Sequence, residues 1–194
     1  MEQLDKNYWD SRYKTEQTGW DLGTVSGPLQ SYIDQLDNKD LRILIPGCGN
    51  AYEAEYLLHK GFTKVTLIDI SPSLVNDLRK RFENHSQITV LEGDFFEHDA
   101  VYDLILEQTF MCALDPALRE AYTKKMHSLL ADNGKIAGLL FGVEFEKAGP
   151  PFGGNADAYQ KQFAPYFNIK TMEKAHNSAK PREGNELFII LIKQ

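Results

Sequence analysis

Cysteine is scarce in this chain: only Cys48 and Cys112 occur among its 194 residues. Two thiols make neither a disulfide framework nor a zinc site. Each reads as a small residue in a tight place, no metal is expected, and a reduced cytoplasmic setting is the expectation. Positive charge is short as well, with a formal net charge of -7. Nucleic-acid binding needs clustered Lys and Arg against phosphate. The one basic run, Arg79-Lys80-Arg81, falls in an expected helix and reads as a solvated face, so nucleic acid is not expected as a partner. No apolar run reaches bilayer-spanning length, and no membrane is expected. The start, MEQLDKNYWD, lacks the positive lead and apolar stretch of a secretion signal. There is no internal repeat and no low-complexity tract, and nothing sets an oligomeric state.

What is present is an apolar share of 42%, enough for one α/β domain over residues 1–194 and hardly two. The chain is organised around Leu41 to Asp69, LRILIPGCGNAYEAEYLLHKGFTKVTLID. Leu41 to Ile45 is an apolar run short enough for a strand buried on both faces. The turn Pro46-Gly47-Cys48-Gly49-Asn50 follows. Ala54, Leu57 and Leu58 then recur at helical spacing, and Gly61 stops that helix. Lys64 to Ile68 is a second strand, and it ends on Asp69. Strand, glycine turn, helix, strand and acid make one βαβ unit. The acid lies 20 residues after Gly49, where a carboxylate can accept two ribose hydroxyls. The alternative is a glycine turn that only joins strand to helix. A dinucleotide fingerprint needs a third glycine beside the pyrophosphate, and Tyr52 stands there. That weighs against nicotinamide or flavin. It suits a nucleoside without phosphates, such as S-adenosylmethionine.

Before this unit, Asp5 can cap a short helix carrying Trp9 and Tyr13, four apart and on one face. Trp20 follows in the loop TGWDLGTVSG. Residues 1–25 therefore read either as cover for one edge of the core or as an aromatic lid facing a cation. Pro28 to Leu36 reads as a helix. After Asp69, Ser71-Pro72 starts another helix, with Leu74, Leu78 and Phe82 on one face. Gln87 to Leu91 is a third strand that runs into Asp94-Phe95-Phe96, an acid and rings suited to a purine. Tyr102 to Leu106 is a fourth strand. Asp115-Pro116 begins a helix expected to run to about Asp132 and to be ended by Gly134. Lys135 to Phe141 is a fifth strand, and residues 143–158 open as a Pro- and Gly-rich loop on the acceptor side. Ala156 to Phe163 reads as a helix. Phe167 to Met172 and Leu187 to Ile192 are two last strands, expected to pair antiparallel. Alternating strands and helices closed by an antiparallel pair is the layout of class I S-adenosylmethionine-dependent methyltransferases, whereas the nicotinamide fold keeps its last strand parallel.

The stretches YWDSRY, TGWDLG, LIPGCGNAYEAEYL, LIDIS, GDFFE, YDLILEQTFMCAL, LLADNGKIAGLLF and AGPPF together resemble the thiopurine S-methyltransferase family. They are most similar to its halide/thiol methyltransferase branch. The resemblance covers nearly the whole chain in order. It implies a single doubly wound, Rossmann-like α/β domain with a seven-stranded, mostly parallel sheet and an antiparallel last strand. It implies S-adenosyl-L-methionine as methyl donor and a small-molecule acceptor. By the same resemblance, Trp9, Tyr13 and Trp20 would close over the sulfonium and amino-acid end. Gly47, Cys48 and Gly49 would hold the methionine carboxylate and amine. Asp69, with Ile70 beside it, would take the ribose, Asp94 and Phe95 the adenine, and Gln108 the methionine part. Relatives often carry a tryptophan at Tyr13, an aromatic at Gln108 and a tyrosine at Phe152.

Methyl transfer from a sulfonium is an in-line displacement, which needs a nucleophile held about 3 Å from the carbon and water kept out. A thiol, hydrosulfide or halide acceptor arrives as an anion and needs no strong base. No base motif stands out: His127 reads as structural, His176 as a weak candidate. Trp20, Phe110 and Phe152 are the expected acceptor pocket. Arg182 is the positive group that would attract the anion, unless it is a solvated surface arginine. The competing readings are an oxygen or nitrogen acceptor with a base among Glu107, Glu144 and His176, and a non-catalytic nucleoside-binding domain.

Overall fold

Seven short apolar runs become seven strands of one sheet, because strands buried on both faces need only a handful of apolar residues each. The computed structural model describes residues 3–194. Its strands are β1 (Arg42–Pro46), β2 (Lys64–Asp69), β3 (Ile88–Glu92), β4 (Tyr102–Gln108), β5 (Leu130–Phe141), β6 (Phe167–Lys174) and β7 (Glu186–Lys193). They lie in the order β3-β2-β1-β4-β5-β7-β6. Neighbours from β3 to β5 pair in parallel, and β7 runs antiparallel to both β5 and β6. The expected seven-stranded sheet with an antiparallel last strand is the one observed. The chain winds outward from β1 through β2 to β3, then returns to the other side of β1 as β4. That reversal opens a crevice at the carboxyl ends of β1 and β4, the place where open α/β sheets bind ligands.

The helices are α1 (Lys6–Lys14), α2 (Gly27–Ile33), α3 (Tyr52–His59), α4 (Pro72–Arg81), α5 (Arg119–Ser128) and α6 (Ala156–Phe163). Asp5 caps α1 through the Tyr8 N–H, Ser71 caps α4 through Leu74, and Asn155 caps α6 through Ala158. Gly61, at φ +84°, ends the α3 segment. One core packs Leu29, Ile33, Ala54, Leu57, Leu74 and Leu78 against Ile43, Ile45 and Leu67. The other packs Tyr122, Met126, Tyr159 and Phe163 against Leu44, Ile105 and Ile136. Each such side chain contributes about 1.5–3 kcal/mol by leaving water.

Two boundaries differ from expectation. α2 ends at Ile33, short of Leu36. The helix expected from Asp115 to about Asp132 is divided. Asp115 caps a 3-10 turn, Pro116–Leu118, and α5 then stops at Ser128. Leu130 already pairs with Tyr102 of β4, and the register shifts before Leu104 meets Lys135. Leu129 and Leu130 are both fully buried. An apolar pair suits a helix face and a strand equally, and pairing with β4 decides the matter. Gly134 thus lies within β5 and does not terminate the helix, and Asn133 takes φ +60° beside it.

Candidate active site

Three strand ends build the crevice. β1 leads into the glycine turn, where Gly47 and Gly49 have φ of +53° and +51°. This is the left-handed region that glycine enters without cost. A Cβ at Gly47 would also overlap the Phe110 ring. At Gly49 the nearest atom to an added Cβ is the Tyr13 hydroxyl, 3.5 Å away, so an aromatic of α1 already lies over the turn. Cys48 is buried, and burial and the Asp69 charge push its thiol up. A buried thiol held in its neutral form is a weak nucleophile.

β2 ends on Asp69, which is 8% exposed. Its Oδ2 accepts from the Gly49 N–H at 3.3 Å and its Oδ1 from the Ser71 N–H at 3.0 Å. Burial raises its pKa, and those donors oppose the rise. The carboxylate is thereby fixed at the mouth of the crevice, with half-buried Ile70 next to it. After β3, exposed Asp94 accepts from the Phe96 N–H at 2.8 Å and caps a 3-10 turn, Phe95–Glu97. The Phe95 ring is a correction to the expected purine sandwich. It packs into the core against Phe110, Phe96 and Tyr122, with centroids 5.1, 5.4 and 5.9 Å away. Its main chain is what it can offer a ligand.

β4 ends on Gln108, whose Oε1 is buried without a hydrogen-bond partner. Such an atom costs about 1–3 kcal/mol, and a ligand that donates to it recovers that. Glu107, just before it, is fully buried. Its carboxylate accepts from the N–H groups of Phe110 and Met111 and from the Tyr122 hydroxyl. Burial, opposed by these donors, leaves it pushed up to about 7. Two of these bonds hold the loop that carries Phe110 and the third ties Glu107 to Tyr122 of α5, so Glu107 orients that loop against the helix. Glu144 and His176 are both exposed. His127 meets the rings of Tyr166 and Phe167 edge-on.

The N-terminal segment packs beside the glycine turn. Trp9 and Tyr13 each meet Trp20 edge-on, with centroids 5.5 and 5.8 Å apart. Burial and then the Asp69 charge raise the Tyr13 phenol well above its usual range. Lys6 pairs with Glu92 at 2.6 Å. Asp21 accepts from the Asn50 amide and, at 3.2 Å, from the Tyr52 hydroxyl. The residue at the third glycine position of a dinucleotide turn is here a dock for this segment.

Arg182 requires a second correction. It is 7% exposed, so it is no solvated surface arginine. Its Nη1 pairs with buried Glu186 at 3.2 Å, so its charge is already matched. Its Nη2 donates to the Trp20 carbonyl at 2.6 Å, and Nη1 reaches Thr109 Oγ1 at 3.4 Å. It is a strut between β7, the Trp20 loop and the end of β4. Phe152 arrives by its own N–H, which donates to the Cys112 carbonyl at 2.7 Å, two residues past Phe110. Arg119 holds the Gly153 carbonyl at 2.6 Å. Among the described residues no group of three His, Cys, Asp or Glu is placed to hold a metal, and no helix is long and apolar enough to cross a membrane.

Sequence reading missed Asp10, Asp21, Glu107 in its orienting role, and Glu186. Asp10 and Asp21 meet partners on distant elements, while Glu107 and Glu186 have partners three or four residues away that only the folded chain buries with them.

This strand order, reversal and glycine turn define the class I methyltransferase fold. The 1,6-didemethyltoxoflavin N1-methyltransferase of Burkholderia thailandensis, crystallised with bound 1,6-didemethyltoxoflavin and S-adenosylhomocysteine, superposes with a TM-score of 0.77 at 18% identity, over 97% of this chain and 87% of that one. Residues 4–189 match the thiopurine S-methyltransferase family, and the chain belongs to it. It is therefore an S-adenosylmethionine-dependent methyltransferase. The probable thiol methyltransferase 2 of Arabidopsis thaliana is 27% identical over 192 residues, covering 96% of this chain and 84% of that protein. Thiocyanate methyltransferase 1 of Brassica oleracea is 25% identical over 191 residues, covering 95% and 84%.

Proposed function

We propose that this enzyme methylates a small, soft nucleophile: a thiol, hydrosulfide, thiocyanate or heavy halide. The observation that carries the reading is the acceptor side itself. Phe110, Phe152 and Trp20 offer apolar and aromatic surface, buried Glu107 has its oxygens taken by its own loop and by Tyr122 of α5, and buried Glu186 is paired with Arg182. An acceptor that must lose a proton finds no base, so the acceptor arrives as an anion. The likeness to proteins named for thiol and thiocyanate supports the same class.

In this reading residues 1–25 are a lid and residues 143–158 the acceptor-side loop of a single domain spanning 1–194, working in a reduced cytoplasm where Cys48 and Cys112 stay free. Asp69 takes the ribose hydroxyls, with Ile70 against the sugar. Asp94 and the Phe95 main chain meet the adenine edge. The turn Gly47-Cys48-Gly49 and the unpartnered Gln108 Oε1 hold the amino-acid end, where an ammonium supplies the missing donor. Bound S-adenosylmethionine supplies an electrophilic methyl on a sulfonium, open to in-line displacement. Trp9, Tyr13 and Trp20 cover it, present ring faces to positive charge and exclude water. A dry pocket strips hydration from an anion, which costs more for small hard ions than for polarisable ones.

Iodide and hydrosulfide are thus expected to outperform chloride when each is incubated with donor and the methylated product is measured. The rate with a thiol should rise with the thiol's own ionisation, and the rate with iodide should stay nearly flat with pH. An iodide profile that follows a protein group near neutrality would overturn the reading.

The lid carries its own expectation. Its docking rests on polar contacts to Asn50, Tyr52, Ser71, Ser73, Glu92 and Arg182, and such local contacts open at less than the cost of global unfolding. S-adenosylhomocysteine should slow proteolysis within residues 1–25. Equal cleavage with and without it counts against a lid.

A further inference from the structure

We infer that Asp10 is a positioning residue for Asp69: it couples docking of α1 to the geometry of the donor-ribose carboxylate. The inference rests on the ribose reading of Asp69. Asp10 is 8% exposed, an unusual place for an acid on a helix of the N-terminal segment. Its Oδ1 accepts from Ser71 Oγ at 2.8 Å, from the Ser73 N–H at 2.9 Å and from Ser73 Oγ at 2.6 Å. Its Oδ2 pairs with Lys14 at 2.5 Å. Burial works against its charge, but the bonds from Lys14, Ser73 and Ser71 outweigh burial and hold it well below the usual carboxylate range.

Ser71 and Ser73 are the N-cap and first turn of α4, a ten-residue helix with no acid of its own in that turn. A carboxylate there satisfies free N–H groups and complements the helix dipole. Asp10 supplies it from a different helix. Ser71 is the shared member. Its hydroxyl donates to Asp10 and caps Leu74 at 3.4 Å, while its N–H donates to Asp69 Oδ1 at 3.0 Å. When α1 lifts, Ser71 loses the bond that fixes its hydroxyl, and the N–H that orients Asp69 loosens with it. By reciprocity, a donor that draws Asp69 into place tightens the seat of α1.

A double-mutant cycle with S-adenosylhomocysteine, read by calorimetry, tests this. Asp10→Asn keeps the size of the side chain and removes its charge. Its Kd should weaken about tenfold, within the usual span of coupling between sites. Asp69→Ala should weaken Kd more. The double variant should bind no more weakly than Asp69→Ala alone, because Asp10 acts through Asp69. In turnover, KM for the donor should rise about tenfold in Asp10→Asn, while kcat at saturating donor stays within about twofold. Loss of a purely structural contact would not reproduce that split together with the non-additivity. If Asp10→Asn fails to fold, Ser73→Ala removes one of the same bonds and should give the same pattern at a smaller size. Wild-type affinity in Asp10→Asn, or penalties that multiply in the double variant, overturn the coupling while leaving Asp69 in place. Wild-type affinity in Asp69→Ala overturns the ribose reading instead.

Discussion

Asp69→Ala is expected to weaken S-adenosylhomocysteine binding by at least about a hundredfold. Two vicinal hydroxyls would donate to one carboxylate, and each such charged bond is worth about 1.5–3 kcal/mol. Losing both amounts to about 3–6 kcal/mol, and 1.4 kcal/mol is a factor of ten. The free protein loses something too. The Gly49 and Ser71 N–H groups that now point at Asp69 would be left without their acceptor, and a buried unpaired N–H costs about 1–3 kcal/mol. A thermal melt should therefore move down while circular dichroism stays native in shape. Calorimetry on the folded variant decides the matter: unchanged affinity sinks the assignment of Asp69 to the ribose.

The place of Asp69 at the end of β2 was legible because its signal is local. An apolar run ends on an acid at a fixed distance from a glycine turn, and both features belong to one βαβ unit. The strands and the Asp5 and Ser71 caps were legible for the same reason, as was the final antiparallel pair, which has no helical pattern between its members. What escaped is held by partners far apart in sequence. Asp10 meets Ser71 across 61 positions, and Asp21 meets Asn50 across 29. Arg182 reaches the Trp20 carbonyl across 162. An arginine in a polar stretch reads as solvated, since arginine is mostly exposed. Only the folded sheet brings β7 beside the Trp20 loop and buries Arg182 with Glu186. The Phe95 ring was misread for a related reason. A motif says that an aromatic follows the acid, but the 3-10 turn that aims it inward is a product of Asp94 capping Phe96. The same capping chemistry defeated the boundary of α5, where Asp115 and Pro116 start a turn and not the helix itself.

Glu107→Gln should change how stability depends on pH, with little change in the shape of the site. The glutamic acid has an ordinary pKa of 4.5 and is pushed up to about 7 by burial. Between those two values the folded chain keeps a proton that the unfolded chain has released. Stability therefore falls as pH rises through that window. The contribution of this residue is fully present below about 4.5, is lost by about 7, and is flat beyond. At 1.36 kcal/mol per pH unit, the whole span amounts to about 3 kcal/mol. Glutamine mimics the protonated acid. Its oxygen can still accept from Phe110 and Met111, and its amide can donate to the Tyr122 oxygen. Near pH 4.5 the two proteins should be close in stability. By pH 8 the glutamine variant should be ahead by up to about 3 kcal/mol, measured by denaturant unfolding at each pH. Burial also raises Asp69 and Glu53, but both chains share those acids, so the difference between them reports Glu107. A gap that stays constant from acid to alkaline pH would mean that Glu107 titrates in the folded chain as it does in the unfolded one. The same variant separates a loop-orienting acid from a catalytic base. With a thiol as acceptor, at a pH below the thiol's own pKa, Glu107→Gln should keep turnover within a few-fold of wild type, because the loop bearing Phe110 keeps its acceptor oxygen, whereas loss of a base contributing about 10²–10⁴-fold would be plain in the same assay.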